Sequence, residues 1–164
     1  MFVEQTELLD IPGIDVVVRD ATAADLPGLL RLLADDPHGA VRDAPLHTDP
    51  CPYRVAFEAI DRDPAHRLLV CEHAGNIIAM LQLSFIPGLS RRGSLRAQIE
   101  AVRTAADHRG RGVGSGFISW AINHARANGC TLVQLTTDKS RVDAQRFYAR
   151  LGFEASHEGM KLEL

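Results

Sequence analysis

Short runs of aliphatic and β-branched residues alternate along this chain with stretches in which apolar residues recur every three or four positions. The runs predict strands, and the recurring spacing predicts helices. The predicted strands cover residues 14–19, 66–72, 77–85, 97–103, 130–137, 153–156 and 159–164, and the helices are centred on residues 26–33, 53–60, 117–125 and 142–151. The order β-α-α-β-β-β-α-β-α-β-β combines hairpins with crossovers, which predicts an α/β fold with a mixed sheet.

A glycine-rich turn follows the predicted strand at 97–103. Gly110, Gly112, Gly114 and Gly116 occupy every second position before an apolar helical run. Glycine adopts positive φ at little cost and lets a ligand approach the main chain. A helix that begins here points unpaired N–H groups and the positive end of its dipole at the turn. The turn therefore predicts an anion site suited to a phosphate or pyrophosphate.

The spacing of these glycines excludes two common phosphate-binding loops. The dinucleotide fingerprint needs G-x-G-x-x-G, and the nucleotide P-loop ends in Gly-Lys-Ser/Thr. Neither pattern occurs at residues 109–116. A glycine-rich surface turn with a solvated arginine face is the plain alternative.

Composition narrows the class of protein. The 164 residues suffice for one domain, predicted to span 1–164, and 46% hydrophobic content is ordinary for a soluble globular chain. A net charge of −3 does not favour a nucleic-acid partner, and no apolar run approaches the roughly 20 residues that span a bilayer. Three cysteines without C-x-x-C spacing, scattered histidines and an N-terminus unlike a signal peptide predict a cytoplasmic protein with no metal site.

Two motifs together resemble the GNAT superfamily of acyl-CoA-dependent N-acyltransferases. Arg109, Gly112 and Gly114 fit the pyrophosphate loop R/Q-x-x-G-x-G/A, and AQRFYARLGF at 144–153 resembles A-x-x-F/L-Y-x-x-x-G-F. They occur in the family's order, with a strand between them. The resemblance implies a GNAT-like, mostly antiparallel central sheet flanked by helices, one acetyltransferase domain, and acetyl-CoA as co-substrate.

The resemblance also implies a set of cofactor-binding residues. Val102 and Thr104, with Arg103 between them, would hold the pantetheine arm by strand-like hydrogen bonds, and the Val102 N–H would stabilise the thioester oxygen. That N–H becomes accessible when the strand splays from its neighbour, commonly through a bulge. The pyrophosphate would be cradled by the backbone amides of Arg109, Gly110, Arg111, Gly112, Val113, Gly114 and Ser115, with charge added by the side chain of Arg109 or Arg111. Many members carry Asn where this chain has Arg141, so the function of that Asn is left unassigned here. The charged run TTDKSR at 136–141 could reach the adenosine 3′-phosphate instead.

The resemblance assigns the general acid to Tyr148, which would protonate the leaving thiolate. For the base we favour Glu100, because a carboxylate can take the proton that an amine with a pKa of roughly 10.4 must lose. Simple alternation puts Ile99, Ala101 and Arg103 on one strand face, and Gln98, Glu100 and Val102 on the face that would line the cleft. A solvated glutamate on a strand face is the alternative interpretation.

Three functions remain open at this point. The first is acetylation of a small-molecule amine, the second is acetylation of a protein lysine or N-terminus, and the third is non-catalytic acyl-CoA sensing; Glu100 together with Tyr148 argues against the third. We expect the acceptor site in the loops at 35–53 and 86–95. There Asp35, Asp36 and Asp43 could attract a cation, and Arg91 and Arg92 an anion. The apolar closing strand permits a homodimer.

Overall fold

The computed structural model describes residues 6–35 and 49–164, and its central element is one six-stranded sheet. Its strands lie side by side in chain order, and each neighbouring pair is antiparallel except the last, which is parallel. They are β1 (Glu7–Leu9), β2 (Val16–Asp20), β3 (His66–His73), β4 (Asn76–Pro87), β5 (Leu95–Thr104) and β6 (Cys130–Leu135). Asp36 and Asp43 lie outside the described residues.

Helices cover both faces of the sheet. They are α1 (Leu26–Ala34), α2 (Cys51–Arg62), α3 (Val113–Ala127) and α4 (Val142–Arg150). The α3 face holds the larger core, in which Leu69, Leu81 and Phe117 are almost completely buried. The opposite face holds a smaller core around Phe57 and Met80, against which α1 and α2 pack. Within the described residues, no helix has both the length and the apolar character needed to cross a bilayer.

The predicted fold class is confirmed, but two parts of the predicted strand order are wrong. Strand β1 was not predicted, because only three residues form it. The closing strands expected at 153–156 and 159–164 do not form, and the chain after Gly152 has neither helix nor strand. Alternating apolar residues favour a strand, but a strand also needs a neighbour whose backbone groups it can pair with.

A β-bulge in β5 changes which side chains share a face. The pairing of β4 with β5 shifts register between Met80 and Gln82, and Ala101 in the bulge has a φ of 52°. Ile99 and Val102 consequently both pack toward the α3 core, whereas Ala101 packs toward the α1 core. The expected alternation is therefore wrong beyond Glu100, because one extra residue inverts the facing of all residues after it.

A buried polar network ties β1, β2 and β3 to α3. Arg67 is only 6% exposed; it donates to both carboxylate oxygens of Asp20, at 2.8 and 2.6 Å, and lies 2.8 Å from His124 Nε2. The His124 ring stacks on Trp120 at 4.8 Å, and Trp120 Nε1 donates to Glu7. Because Arg67 can only donate, Nε2 of His124 must be the unprotonated acceptor.

This network predicts a loss of stability in acid. Burial, and secondarily the Arg67 cation, lower the pKa of His124 from its usual 6.5. Below about pH 6.5, His124 binds a proton more readily in the unfolded chain than in the folded protein. The free energy of unfolding should therefore fall as the pH drops below about 6.5. We expect the free energy of unfolding, measured with urea at pH 7.5 and 5.5, to differ less between the two pH values in His124→Gln than in the wild type. The glutamine side chain can still accept a hydrogen bond from Arg67. The exposed-site control His157→Gln should keep the wild-type difference, and an unchanged difference in His124→Gln would contradict the assignment.

Candidate active site

The last two strands of the sheet separate where β5 is only half complete. Their pairing ends with Ile99 opposite Leu135, whereas β5 continues to Thr104. No described strand pairs with this side of β5 after Ile99. The result is a gap bordered by an unpaired strand edge, next to the bulge at Ala101. A bulge in this strand is what the family resemblance implied.

The backbone of Val102 and Thr104 faces this gap. The Ala105 N–H donates to the Ile78 carbonyl in β4. Because backbone N–H and C=O groups of successive strand residues point to opposite sides, those of Val102 and Thr104 point away from β4. Two contacts agree with this orientation. The Val102 carbonyl accepts from Arg103 Nη1 at 2.8 Å, and the Thr104 carbonyl accepts from Arg109 Nε at 2.9 Å. The Val102 N–H is thereby oriented toward the gap as well.

The glycine-rich turn begins just beyond the end of β5 and leads into α3. Gly112 is the N-cap residue of α3, with a φ of 89° and no side chain capping the helix. The first helical hydrogen bond shown there runs from the Gly116 N–H to the Gly112 carbonyl at 2.9 Å. The N–H groups of Val113, Gly114 and Ser115 therefore have no partner within the helix. They form a cluster of donors at the positive end of the helix dipole.

Two further glycines of the turn lie close to neighbouring elements. A Cβ on Gly114 would lie 3.5 Å from Thr104 Oγ1 and 3.6 Å from Phe147 Cζ. A Cβ on Gly116 would lie 3.3 Å from Ile11 Cγ1, which is tighter than an ordinary contact. These distances let α3 approach β5, α4 and the N-terminal segment closely, so that the donor cluster opens directly beside the unpaired edge.

The side chain of Arg109 braces the turn. In addition to the Thr104 carbonyl, it contacts Asp35 at the end of α1, with Nη2 3.0 Å from Oδ2. The same carboxylate oxygen accepts from the Ala106 N–H at 2.8 Å. Asp35 was expected to attract an acceptor cation, but its carboxylate is engaged in holding the turn against α1. Arg111, by contrast, is exposed at the turn.

Tyr148 lies on α4 among aromatic rings. Its ring makes edge contacts with Phe147 at 5.1 Å and Phe153 at 5.8 Å. Burial raises the pKa of Tyr148 above its usual value near 10, and the cations Arg141 and Arg103 offset part of that rise. The phenol is therefore protonated at neutral pH, as a proton donor must be. Arg141 lies within electrostatic range of Tyr148, which sequence reasoning did not predict.

Glu100 is exposed on the sheet face opposite α3, directly across from Gln82. It shares this face with Gln98, as predicted, but not with Val102, because the bulge lies between them. A carboxylate at this position is open to water and to a ligand that enters from the α1 side.

Polar side chains continue from Glu100 across four strands on the same face. We call this set the polar band: His66, Gln82, Ser84, Gln98 and Gln134. Gln134 donates to Gln98 at 2.7 Å, His66 Nδ1 lies 2.8 Å from Ser84 Oγ, and Gln82 lies 3.4 Å from the same hydroxyl. Ser84 is only 5% exposed. Polar groups are rarely placed on a central sheet face unless they meet polar partners or water.

The loop at 86–95 lies at the far end of this face. Its helical turn Ser90–Gly93 carries Arg91 and Arg92 in left-handed conformations, and both are exposed. Leu95, where β5 begins, is five residues from Glu100, a distance of about 17 Å along a strand. The two arginines are thus carried by a turn that precedes the opposite end of β5 from the bulge.

The sequence did not predict the polar band or the Asp35 brace, by which we mean the contact of Arg109 with Asp35. The available signal for the band was polar residues two apart within strands, as in Gln82 with Ser84 and Gln98 with Glu100. The brace left no local signal, because Asp35 and Arg109 are 74 residues apart. Among residues 6–35 and 49–164, no three His, Cys, Asp or Glu side chains group as metal ligands would.

Comparison with known proteins identifies the family. The sequence pattern of the acetyltransferase (GNAT) family matches residues 27–153. The chain therefore belongs to the GNAT family of acetyl-CoA-dependent acyltransferases.

Three known proteins illustrate the similarity. The chain is 30% identical over 105 residues to an aminoalkylphosphonate N-acetyltransferase of Salmonella typhimurium, covering 64% of this chain and 68% of the relative. It is 28% identical over 145 residues to an L-methionine sulfoximine/L-methionine sulfone acetyltransferase of Pseudomonas paraeruginosa, covering 85% and 80%. A crystal structure of a transcriptional regulator from Bacillus halodurans C-125 is 46% identical, with a TM-score of 0.85 over 91% of this chain and 99% of that chain.

The geometry of the turn predicts a binding defect in Gly112→Ala. Placing a Cβ at a φ of 89° costs roughly 1–2 kcal/mol and should displace the first amides of α3. We expect about tenfold weaker acetyl-CoA binding by calorimetry, which corresponds to about 1.4 kcal/mol. Gly129→Ala is the matched control, because Gly129 has a φ of 81° at the other end of the helix. It should lose similar stability and keep its affinity; unchanged affinity in Gly112→Ala would mean that the turn does not hold the co-substrate.

Proposed function

We propose that this protein transfers an acetyl group from acetyl-CoA to the primary amine of a small polar molecule, by direct attack within a ternary complex. The observation that carries this proposal is the unpaired edge of β5, which leads straight into the uncapped N-terminus of α3. A linear thioester with a diphosphate at one end fits an extended backbone edge followed by a donor cluster.

The residues present suit coenzyme A. The amides from Gly110 through Ser115 would hold its diphosphate, and the exposed side chain of Arg111 would add charge. The Arg109 amide, also expected there, donates instead to the Ala106 carbonyl at 3.3 Å. The backbone groups of Val102 and Thr104 would pair with the pantetheine arm as a neighbouring strand would. Arg103 borders the same edge, and the Arg109 side chain keeps the turn in position.

The proposed reaction needs one proton donor and one acceptor. The amine nitrogen bonds to the thioester carbonyl carbon, and the bond between that carbon and sulfur then breaks. The Val102 N–H would stabilise the negative charge on the carbonyl oxygen. Tyr148 would donate its phenolic proton to the departing sulfur, and Glu100 would take the proton of the amine directly or through water.

The polar band supports a small polar acceptor. It offers amide, hydroxyl and imidazole groups in a row beside Glu100, and these can pair with hydroxyl, carboxylate or phosphonate groups on the same molecule that carries the amine. The names of two relatives agree, since one acts on aminoalkylphosphonates and another on a methionine analogue. A lysine side chain would bring only methylene groups to such a surface.

An acceptor panel tests the proposal. Release of coenzyme A should be fastest with amines that also carry an acidic or hydroxyl group, and slow with simple alkylamines and lysine peptides. Gln98→Leu should raise the KM for the best acceptor about tenfold, because it removes an amide that the polar band would offer to the acceptor's polar groups. The KM for acetyl-CoA should not change. Asn123→Leu on the exposed side of α3 is the control, and faster turnover of lysine peptides would overturn the small-molecule assignment.

The acid and base assignments predict slow but tightly binding variants. Tyr148→Phe and Glu100→Gln should each lower kcat about a hundredfold or more, since proton transfer contributes at least that factor. Acetyl-CoA affinity should be retained in both. Because burial raises the pKa of Tyr148, the wild-type kcat should not decline between pH 7 and 9 through loss of this proton. Wild-type turnover in either variant would remove that residue from its role.

A further inference from the structure

Two histidine rings lie next to each other at the end of the sheet from which the glycine-rich turn leaves. His73 is the last residue of β3, and His108 ends the short 3₁₀ turn Ala106–His108 that precedes Arg109. Their ring centroids are 6.0 Å apart, and the ring planes are inclined by 64°. Both residues are partly buried. Neither ring belongs to the buried network around His124 or to the groups assigned to acetyl transfer, so the pair is a separate feature of the molecule.

Hydrogen bonds fix the same tautomer in both rings. His73 Nδ1 lies 2.7 Å from the Asp15 carbonyl oxygen, and His108 Nδ1 lies 2.7 Å from Asp107 Oδ1. The hydrogen bond from His108 lowers the pKa of Asp107, which is therefore ionised at neutral pH. A carbonyl oxygen and an ionised carboxylate can only accept, so each Nδ1 carries the proton and each neutral ring keeps a lone pair on Nε2. Among residues 6–35 and 49–164, no hydrogen bond engages either Nε2.

Histidines that bind metal ions have hydrogen bonds of this kind. A ligating imidazole usually donates its other ring N–H to a carboxylate or a backbone carbonyl, and this bond orients the ring and raises its basicity. Here one ring donates to a carbonyl and the other to a carboxylate. With Zn–N distances of roughly 2.0–2.1 Å, two rings that share one ion have their centres about 5–6 Å apart. The separation of His73 from His108 agrees with that value.

We propose that His73 and His108 bind one divalent transition-metal ion through Nε2, with the Asp15 carbonyl and the Asp107 carboxylate orienting the two rings. Imidazole favours ions such as Zn²⁺, Ni²⁺ and Cu²⁺ over Mg²⁺ and Ca²⁺. No third His, Cys, Asp or Glu side chain joins the pair in the part of the chain that the structure describes, so water would complete the coordination. The spacing of histidines in the sequence predicted no metal site, because only the sheet brings these two residues together.

Calorimetric titration of the full chain, without an affinity tag, with Ni²⁺ or Zn²⁺ measures this binding. His73→Gln and His108→Gln should each weaken it at least tenfold, because one imidazole remains. Asp107→Asn should weaken it about tenfold, since the carboxylate orients its ring and raises its basicity. His157→Gln and Cys51→Ser remove an exposed imidazole and an exposed thiol and should keep wild-type affinity. Undiminished affinity in both ring variants, or no binding by the wild type at millimolar metal, overturns the proposal.

The spectrum of bound Cu²⁺ separates direct ligation from an indirect effect of the substitutions. Electron paramagnetic resonance at half an equivalent of Cu²⁺ should show coupling to two imidazole nitrogens in the wild type. His73→Gln and His108→Gln should lose this signal, while their circular dichroism and their acetyl-CoA affinity without metal stay at wild-type levels. A two-nitrogen signal that persists in either variant would mean that other histidines hold the ion, and this result overturns the proposal.

Discussion

The separation of β5 from β6 is the constraint on which the rest of this structure depends. A strand edge inside a sheet normally satisfies its N–H and C=O groups with the next strand. Here pairing with β6 stops after Ile99 and Leu135, and beyond the bulge at Ala101 the backbone groups of Val102 and Thr104 face a gap. In the proposed function, an extended ligand that hydrogen-bonds like a strand would pair with this edge.

The position of the glycine-rich turn depends on contacts with elements that are distant in sequence. Three amides at the start of α3 are useful as donors only if the helix begins at the end of β5. That placement favours glycine at position 116, where a Cβ would lie 3.3 Å from Ile11 Cγ1. It also depends on Arg109, which joins the Thr104 carbonyl to Asp35 at the end of α1. The ion pair with Asp35 leaves the charge of Arg109 partly compensated.

The two faces of the sheet serve different purposes. The α3 face is mostly apolar in the described residues and carries the ion pair of buried Arg67 with Asp20, and Nη1 of Arg67 also contacts His124. The opposite face is apolar only beneath α1 and α2. Beyond them it becomes polar from His66 to Gln134, beside the gap. Apolar burial thus holds the sheet together on one side, while the other side carries hydrogen-bonding side chains beside Glu100.

The sequence alone determined the features whose physics is local. Glycine spacing, the helical run after it and the Phe147–Tyr148 pair each act within a few residues, so the donor turn, the α4 aromatic cluster and the class of the fold could be predicted. The facing of Val102 could not, because one inserted residue at Ala101 reverses alternation and leaves no mark in the pattern. The Asp35 brace and the polar band required tertiary structure too, since strand register and helix packing bring together residues far apart in the chain. The alternating apolar residues at 159–164 show the same limit of sequence patterns. They do not form the predicted strand, because a strand needs a neighbouring strand for its hydrogen bonds.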